Sequence, residues 1–275
     1  MKAAVIDAHQ HFWQYSAAEY GWIDESLAEL RRDLLPGDLL TEMQGAGVDR
    51  SIAVQARQSL EETAWLLDLA GENDFIAGVV GWAPLATAEL GDFLAEYAGA
   101  PKLVGLRHVV QGEAAGFLDG AAFSDGVAAL LGTGLVYDVL IFERQLEEAI
   151  RFVDRHPRQS FVVDHIAKPR IAEGVLEPWR SQMRELGRRS NVVCKVSGMV
   201  TEAGAGWTEE MLRPYFDAVV EAFGTERLMA GSDWPVCLPV CGYGQWWETL
   251  RQHFAGFSDS EREAIFGGTA AAIYL

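Results

Sequence analysis

The first residues in this chain that could do chemistry are two histidines near its start, His9 and His11. They follow the apolar run from Ala3 to Ile6, which predicts a short buried strand, and alternation would place Asp7 and both histidines on one face. Two imidazoles about 7 Å apart along a strand can converge on one metal ion or one substrate. The same pattern also suits two hydrogen-bonded histidines at a strand–loop junction, so the motif alone leaves metal binding and catalysis open.

The composition excludes several classes of partner. The 275 residues include 22 Lys plus Arg and 40 Asp plus Glu, a net charge of -18 that argues against nucleic acid and anionic membranes. An odd number of cysteines (Cys194, Cys237 and Cys241) predicts free thiols in a reducing compartment. No signal peptide fits the start of the chain, and no run approaches the roughly 18 apolar residues of a membrane helix. We therefore expect a soluble, cytoplasmic protein.

Short apolar segments alternate with helical segments along the whole chain. Eight of them are predicted strands, at residues 3–9, 51–55, 76–82, 103–108, 135–139, 161–165, 192–197 and 227–233. Their spacing of about 34 residues predicts an α/β fold, a single (β/α)8 TIM barrel spanning residues 1–275. A doubly wound open sheet is the rival fold, but no Gly-x-Gly-x-x-Gly follows the first strand.

Several local signals set the predicted helix boundaries and loops. Pro36 suits a first helical turn and Gly47 a C-cap, while capping boxes begin at Ser59 and Ser258. The segment 198–206 contains three glycines and is predicted to form a mobile lid. The loop after the first strand is aromatic, and we expect most of its rings to pack over the barrel end, with one or two at the site; these are Trp13, Tyr15, Tyr20 and Trp22.

In a TIM barrel the active site lies at the carboxyl ends of the strands, which here carry mostly polar residues. In strand order these are His9, His11, Gln55, Trp82, Arg107, His108, Asp138, His165, Lys195 and Asp233. A purely structural role is an equal alternative for Asp138, Gln55 and His108. Lys195 stands between apolar residues, so it needs a carboxylate partner, a substrate oxygen or a shifted pKa. Alternation puts Asp164 opposite His165 and predicts a structural role for it.

These motifs together resemble the amidohydrolase superfamily, and within it the amidohydrolase-2 branch and the sugar-lactone hydrolases that act on L-fuconolactone or L-rhamnonolactone. The likeness covers nearly the whole chain. It is carried by residues 6–13, 20–22, 54–56, 105–108, 163–165, 195–198, 231–235 and 266–270, which include His-x-His, Val-Asp-His and Gly-Ser-Asp-Trp-Pro.

The resemblance implies that His9, His11, His165 and Asp233 surround the reaction centre, with Asp233 as the general base that activates water. Binuclear members carry a Lys or Glu ligand on strand four and a histidine on strand five, where this chain has Arg107-His108 and Tyr137-Asp138. A binuclear centre is therefore not expected. Two alternatives stay open: one divalent ion, in the first place zinc, on His9, His11 and Asp233 with or without His165, or a metal-free site.

The expected reaction is hydrolysis of a small-molecule sugar lactone to the sugar acid. Either Arg107 or Lys195 would polarise the lactone carbonyl together with the strand-one histidines. The remaining predicted substrate-binding residues, which would contact the sugar hydroxyls and ring, are Gln55, Trp82, His108 and Trp13.

Three other functions compete with this hypothesis. Cationic residues near the strand ends favour a carboxylated pyrone or muconate lactone as substrate; these are Arg57, Arg107, Lys168 and Arg170. Decarboxylases of the same branch resemble the chain at strands one and eight. A non-catalytic sugar-binding barrel is the third alternative, against which the combination of Asp233 with both strand-one histidines argues. The sugar, the lactone ring size and the oligomeric state are not predicted.

Overall fold

Eight parallel strands follow one another in a single sheet, in chain order from β1 to β8. The computed structural model describes residues 3–97 and 99–275. Backbone hydrogen bonds from Asp233 N to His9 O (2.8 Å) and from His11 N to Trp234 O (2.7 Å) join the last strand to the first. The strands are β1 Ile6–Gln10, β2 Arg50–Val54, β3 Ile76–Gly81, β4 Leu103–His108, β5 Val136–Val139, β6 Phe161–Val163, β7 Val192–Val196 and β8 Leu228–Ala230. The predicted (β/α)8 TIM barrel is confirmed.

Helices connect the strands and surround the sheet. They are α1 Pro36–Ala46, α2 Leu60–Glu72, α3 Leu90–Tyr97, α4 Ala121–Ala128, α5 Leu146–Arg155, α6 Trp179–Leu186, α7 Met199–Ala203, α8 Glu209–Phe223, α9 Tyr243–His253, α10 Asp259–Glu263 and α11 Thr269–Tyr274. Both predicted capping serines accept a hydrogen bond from a first-turn backbone N–H. Ala98, the predicted end of α3, lies outside the described residues. No described helix combines the length and apolar character needed to cross a membrane.

The segment predicted to be a mobile lid contains helix α7. Its residues Met199 and Val200 are buried in the main hydrophobic cluster. Glycines with positive φ at 198 and 204 flank the helix, which explains why the composition resembled that of a loop. Helix α7 is therefore packed into the core, which is inconsistent with a mobile lid formed by the whole segment. The three cysteines are likewise buried, and all are free thiols.

The barrel interior is apolar at the amino ends of the strands and polar at their carboxyl ends. The interior cluster contains Val136 of β5, Val162 of β6 and Val193 of β7. Because side chains on one face of a strand recur every second residue, the next interior positions on these strands are 138, 164 and 195. Those positions hold Asp, Asp and Lys, all fully buried. The alternation of side chains along the strands thus places the charged residues directly above the buried apolar cluster.

Strand β1 departs from simple alternation. The pairing register of β1 with β2 shifts between Asp7 and Gln10. As a result, the adjacent residues Ala8 and His9 both point into the barrel, Ala8 into the apolar interior cluster and His9 toward the polar residues at the strand ends. Asp7 lies on the other face, where its carboxylate accepts hydrogen bonds from Ser232 N (2.8 Å) and Oγ (2.6 Å) and from Tyr243 Oη (3.1 Å). The predicted common face of Asp7, His9 and His11 is therefore wrong. Burial raises the pKa of Asp7 to about 6, against these hydrogen bonds.

Close backbone packing around the barrel gives a first prediction. A Cβ on Gly126 of α4 would lie 1.7 Å from the carbonyl oxygen of Leu85, whereas a Cβ on the exposed Gly71 of α2 would meet nothing within 4 Å. We expect Gly126→Ala to lower the free energy of unfolding by about 3 kcal/mol through overpacking. Gly71→Ala should raise it by about 0.5 kcal/mol through better helix propensity.

Urea denaturation of the two variants beside the unsubstituted protein measures both shifts. Equal unfolding midpoints for Gly126→Ala and Gly71→Ala would contradict the packing of α4 against the loop that contains Leu85.

Candidate active site

The polar residues at the carboxyl ends of the strands form two layers that differ in solvent access. Four side chains retain a small exposed fraction: His165 and Arg107 at 3%, and His11 and Asp233 at 5%. Beneath them lies a layer with no exposure at all, made up of His9, Gln55, Asp138, Asp164 and Lys195. A small molecule can therefore reach the upper four directly, while the lower residues act on it through them.

Asp233 is the carboxylate on which the imidazoles converge. Its Oδ1 lies 3.4 Å from His11 Nε2 and 3.8 Å from the Nε2 atoms of His9 and His165. Burial raises its pKa, but the nearby histidines outweigh burial and hold the pKa well below its usual value. Asp233 has a left-handed backbone (φ 59°), an unfavourable conformation for a residue with a Cβ. Among the described residues, no Lys or Arg lies within 4.0 Å of its carboxylate.

His9 of β1 and His11 just after it have different neighbours, and the lowered pKa of each ring keeps it neutral near pH 7. His11 Nδ1 lies 2.7 Å from the carbonyl oxygen of Val54, so this nitrogen carries the proton and Nε2 keeps a lone pair toward Asp233. His9 has a cation at each ring nitrogen: Lys195 Nζ at 3.2 Å from Nδ1 and Arg107 Nη1 at 3.2 Å from Nε2. Burial lowers the pKa of both rings, well below the usual value for His9.

His165 reaches the site through an unusual turn after β6. Residues 165–168 all have positive φ, between 48° and 60°. The ring Nδ1 lies 2.9 Å from Ser197 Oγ, and burial lowers its pKa to about 4. A Cβ on Gly198 would lie 2.7 Å from this Nδ1, so glycine at position 198 makes room for the ring.

The same turn shows that the predicted placement of Asp164 on the face opposite His165 is wrong. Alternation from Val162 directs Asp164 into the barrel, and the left-handed turn then brings His165 to the same side. Asp164 Oδ2 accepts a hydrogen bond from Arg107 Nη1 (2.9 Å), and Oδ1 lies 3.1 Å from Lys195 Nζ and 3.3 Å from His9 Nδ1. Burial opposes ionisation, but these neighbours, Lys195 foremost, hold the pKa of Asp164 well below its usual value.

Lys195 finds the carboxylate partners that its sequence context required. Its ammonium donates to Asp138 Oδ2 (2.6 Å) and also contacts Asp164 and His9. Lys195 is fully buried and is surrounded by these three groups, so the alternative in which Lys195 itself polarises a substrate carbonyl loses support. Burial raises the pKa of Asp138 to about 6, against the effect of Lys195.

A tyrosine that the sequence did not indicate also belongs to this layer. Tyr274 of α11 donates its hydroxyl to Asp138, 2.8 Å from both carboxylate oxygens. No motif and no strand end marks this residue, because it arrives from the last helix and from the opposite end of the barrel. Only the three-dimensional closure of the barrel by α11 brings it to the site.

Gln55 and Arg107 form a unit at the ends of β2 and β4. Arg107 Nη2 donates to Gln55 Oε1 (3.1 Å) and to the Gln55 backbone carbonyl, while Nη1 donates to Asp164. Gln55 is fully buried. It therefore orients the guanidinium, and the predicted direct contact of Gln55 with substrate lacks an exposed surface.

Three predicted substrate-binding aromatics already use their polar atoms within the protein. Trp82 donates its indole N–H to His108 Nδ1 (3.3 Å), and the other ring nitrogen of His108 lies 2.8 Å from Glu113 Oε1. Both residues are half-buried and so retain ring surface for a substrate. Trp13 is fully buried, and its indole N–H donates to the carbonyls of Leu30 and Arg32. It packs the aromatic loop, which is inconsistent with direct substrate binding by Trp13.

Comparison with known proteins decides the family. The chain matches the amidohydrolase family Amidohydro_2 over residues 6–275. The protein is a member of the amidohydrolase family. This agrees with the resemblance inferred from the sequence motifs.

Relatives with names and structures are similar to this amidohydrolase over its full length. L-fucono-1,5-lactonase of Burkholderia multivorans is 44% identical and covers 100% of this chain and 97% of the relative. L-fucono-1,5-lactonase of Burkholderia ambifaria is 37% identical, with 98% and 94% coverage. The crystal structure of a Burkholderia multivorans amidohydrolase with bound zinc superposes with a TM-score of 0.96, at 44% identity and 99% coverage of both chains.

Two sets of side chains in the amidohydrolase have the composition of a metal site, and they share His9. One is His9, His11 and Asp233, and the other is His9, Asp164 and His165. In the second set the Lys195 ammonium lies 3.1 Å from Asp164 Oδ1 and 3.2 Å from His9 Nδ1, so a cation already bridges two of the ligand atoms. Electrostatic repulsion disfavours a divalent ion there.

The first set fits one zinc-like ion. Zinc–ligand bonds of 2.0–2.1 Å in a tetrahedron separate the ligand atoms by about 3.3 Å. The observed separations are 3.2 Å between the Nε2 atoms of His9 and His11, 3.4 Å from His11 Nε2 to Asp233 Oδ1, and 3.8 Å from His9 Nε2 to the same oxygen. Arg107 competes for the same nitrogen of His9. The residues can thus hold one ion, and the contact between Arg107 and His9 is the alternative in a metal-free site.

Zinc titration of the chelator-treated protein tests this ligand set. We expect zinc to raise the unfolding temperature, because an ion that binds only the folded state stabilises it. His11→Ala removes one ligand and should weaken zinc binding by roughly 10- to 100-fold. His156→Gln is the matched control, since His156 pairs with Ser124 and belongs to neither set. Unchanged zinc affinity in His11→Ala would contradict the assignment.

Proposed function

We propose that this amidohydrolase hydrolyses a neutral sugar lactone, of the L-fucono-1,5-lactone type, to the corresponding sugar acid. The observation that carries the proposal is Asp233, an ionised carboxylate that solvent can reach, surrounded by neutral imidazoles and free of a cationic partner among the described residues. Such a group can accept a proton from water. Full-length similarity to proteins named L-fucono-1,5-lactonase supports the substrate class.

In the proposed reaction Asp233 acts as general base. A water molecule hydrogen-bonded to its Oδ1 attacks the lactone carbonyl carbon while the carboxylate takes one proton from the water. The tetrahedral intermediate then collapses, and the bond between the carbonyl carbon and the ring oxygen breaks. The proton returns from Asp233 to the departing ring oxygen, which becomes a hydroxyl group of the sugar acid.

The negative charge that develops on the carbonyl oxygen needs stabilisation, and Arg107 is the favoured group. Of the two cationic side chains in the layers, Arg107 and Lys195, only Arg107 retains exposed surface, and Asp164 and Gln55 fix the orientation of its guanidinium. The pairing of Arg107 with Asp164 reduces its free charge. A divalent ion held by His9, His11 and Asp233 would supply Lewis-acid polarisation of the carbonyl and a more acidic water.

The cations near the mouth support a neutral substrate over a carboxylated one. Arg57 is paired with Glu19, and Arg170 with Glu143 and Glu173. Lys168 lies over the ring of Phe142, with Nζ 5.6 Å from the ring centroid. Because two of these cations are already neutralised by acidic side chains, a substrate carboxylate would have to displace existing ion pairs.

The half-buried rings of Trp82 and His108 are the proposed apolar contacts for the sugar ring. Their polar atoms are engaged within the protein, so they would contribute ring surface rather than hydrogen bonds. His165 and His11, whose rings have exposed edges, are the proposed partners for hydroxyl groups near the carbonyl.

A lactone panel tests the proposed function. We expect acid release, followed with a pH indicator, from L-fuconolactone and related neutral sugar lactones at rates at least tenfold above those for carboxylated pyrone or muconate lactones. Chelator-treated and zinc-supplemented protein should be run side by side, which separates a metal requirement from the substrate class. Release of CO2 from an aromatic acid without lactone hydrolysis would instead favour a decarboxylase, and no turnover of any substrate would favour a sugar-binding barrel.

A further inference from the structure

Helix α11 closes the barrel from the end opposite the mouth. Gly267, just before the helix, approaches β1 so closely that a Cβ there would lie 2.0 Å from the carbonyl oxygen of Ala4. Thr269 Oγ1 donates to the carbonyl of Glu226 (3.1 Å), which leads into β8. The helix is therefore anchored beside both the first and the last strand, and its position relative to the barrel axis is fixed.

This anchoring places Tyr274 inside the barrel. Its ring packs in the interior apolar cluster with residues such as Val136 and Val193, which precede Asp138 and Lys195 by two positions. The ring centroid lies 5.4 Å from Lys195 Nζ, within the range of a cation–π interaction. The hydroxyl passes the apolar cluster and meets the carboxylate of Asp138.

From Tyr274 a continuous series of contacts runs upward to the reaction centre. Asp138 accepts from the Tyr274 hydroxyl at 2.8 Å and from Lys195 Nζ at 2.6 Å. Lys195 Nζ lies 3.2 Å from His9 Nδ1, and the opposite nitrogen of His9 faces Asp233 Oδ1 at 3.8 Å. Each of these groups except Tyr274 and Asp233 has no exposed surface, so water cannot substitute for a lost partner without entering the core.

The Tyr274 hydroxyl is what defines the orientation of the Asp138 carboxylate. Of the described residues, Tyr274 and Lys195 are its hydrogen-bond partners. With Lys195 alone, the carboxylate could rotate about its Cβ–Cγ bond, and the ammonium could follow Asp164 instead. The contact between Lys195 and His9 would then loosen.

We propose that Tyr274 is a positioning residue for the hydrolytic reaction: its hydroxyl fixes Asp138, and Asp138 fixes Lys195 against His9 beneath Asp233. The inference rests on the proposed lactone hydrolysis and extends it to a helix that no substrate touches. A side chain of this kind changes turnover through the geometry of the groups above it, and it leaves substrate binding nearly unchanged.

Tyr274→Phe tests the proposal because it removes only the hydroxyl and keeps the ring in the apolar cluster. We expect kcat for the best neutral lactone to fall roughly tenfold, with KM within about twofold of the unsubstituted protein. Tyr215→Phe is the matched control, since Tyr215 of α8 is a buried tyrosine whose hydroxyl donates to the carbonyl of Val175 (3.1 Å), away from the site. Its kcat should stay within about twofold.

A double-mutant cycle separates positioning through Asp138 from a general structural effect. If Tyr274 acts through Asp138, Tyr274→Phe should change kcat less than twofold in an Asp138→Asn background. The same tenfold fall in both backgrounds, or equal kcat for Tyr274→Phe and Tyr215→Phe, would overturn the proposal. Should Tyr274→Phe be insoluble, Asp138→Asn alone takes its place, and an unchanged kcat in that variant also overturns it.

Failure of this inference is distinguishable from failure of the proposed function. If the unsubstituted protein hydrolyses no lactone in the panel, the proposed function is wrong. If it hydrolyses one and the Tyr274 variant matches the control, lactone hydrolysis stands and the positioning role is wrong.

Discussion

The site depends on a set of buried ion pairs in the barrel interior, in which the carboxylates of Asp138 and Asp164 are neutralised by Lys195 and Arg107. Lys195 bridges Asp138 and Asp164, and Arg107 joins Asp164 from β4. Loss of one partner from such a buried set leaves an uncompensated charge and costs on the order of 3–5 kcal/mol, a large share of a typical folding free energy. The four groups are therefore fixed together, and they hold the strand ends in one arrangement.

This compensation leaves Asp233 as the carboxylate that no cation neutralises. With the imidazoles neutral and the three aspartates ionised, the two layers contain one more negative than positive charge. A buried excess charge is unfavourable unless something compensates for it, and a proton or a divalent cation can do so. The same imbalance thus explains why Asp233 and the neighbouring histidines fit a zinc-like ion.

The fold and most of the upper layer follow from the sequence because they depend on local patterns. Apolar strands recur along the whole chain, and His11, His165 and Asp233 stand directly at strand ends. Predictions of which face a side chain occupies were wrong where the backbone departs from a regular strand. A register shift in β1 places Asp7 on the face opposite His9, and a left-handed turn after β6 brings Asp164 and His165 to the same side.

The hydrogen-bond partners of the site residues could not be predicted from the sequence. Nothing local indicates that Gln55 binds Arg107, that Trp82 and His108 bind each other, or that Tyr274 reaches Asp138 from the far end of the barrel. These contacts join residues far apart in the chain, and they became visible only once the strands were placed around a common axis. They also divide the predicted site into residues that can touch a substrate and residues that support them.

The most direct test of the account is the activity of Asp233→Asn with the best neutral lactone, measured together with the binding of the sugar-acid product. We expect kcat to fall by at least about 100-fold, as for loss of a general base, with product affinity within a few-fold of the unsubstituted protein. Asp119→Asn, at a surface carboxylate paired with Arg151 and Arg155, should keep full activity. Activity of Asp233→Asn above a few per cent of that of the unsubstituted protein would contradict the assignment of Asp233 as the base.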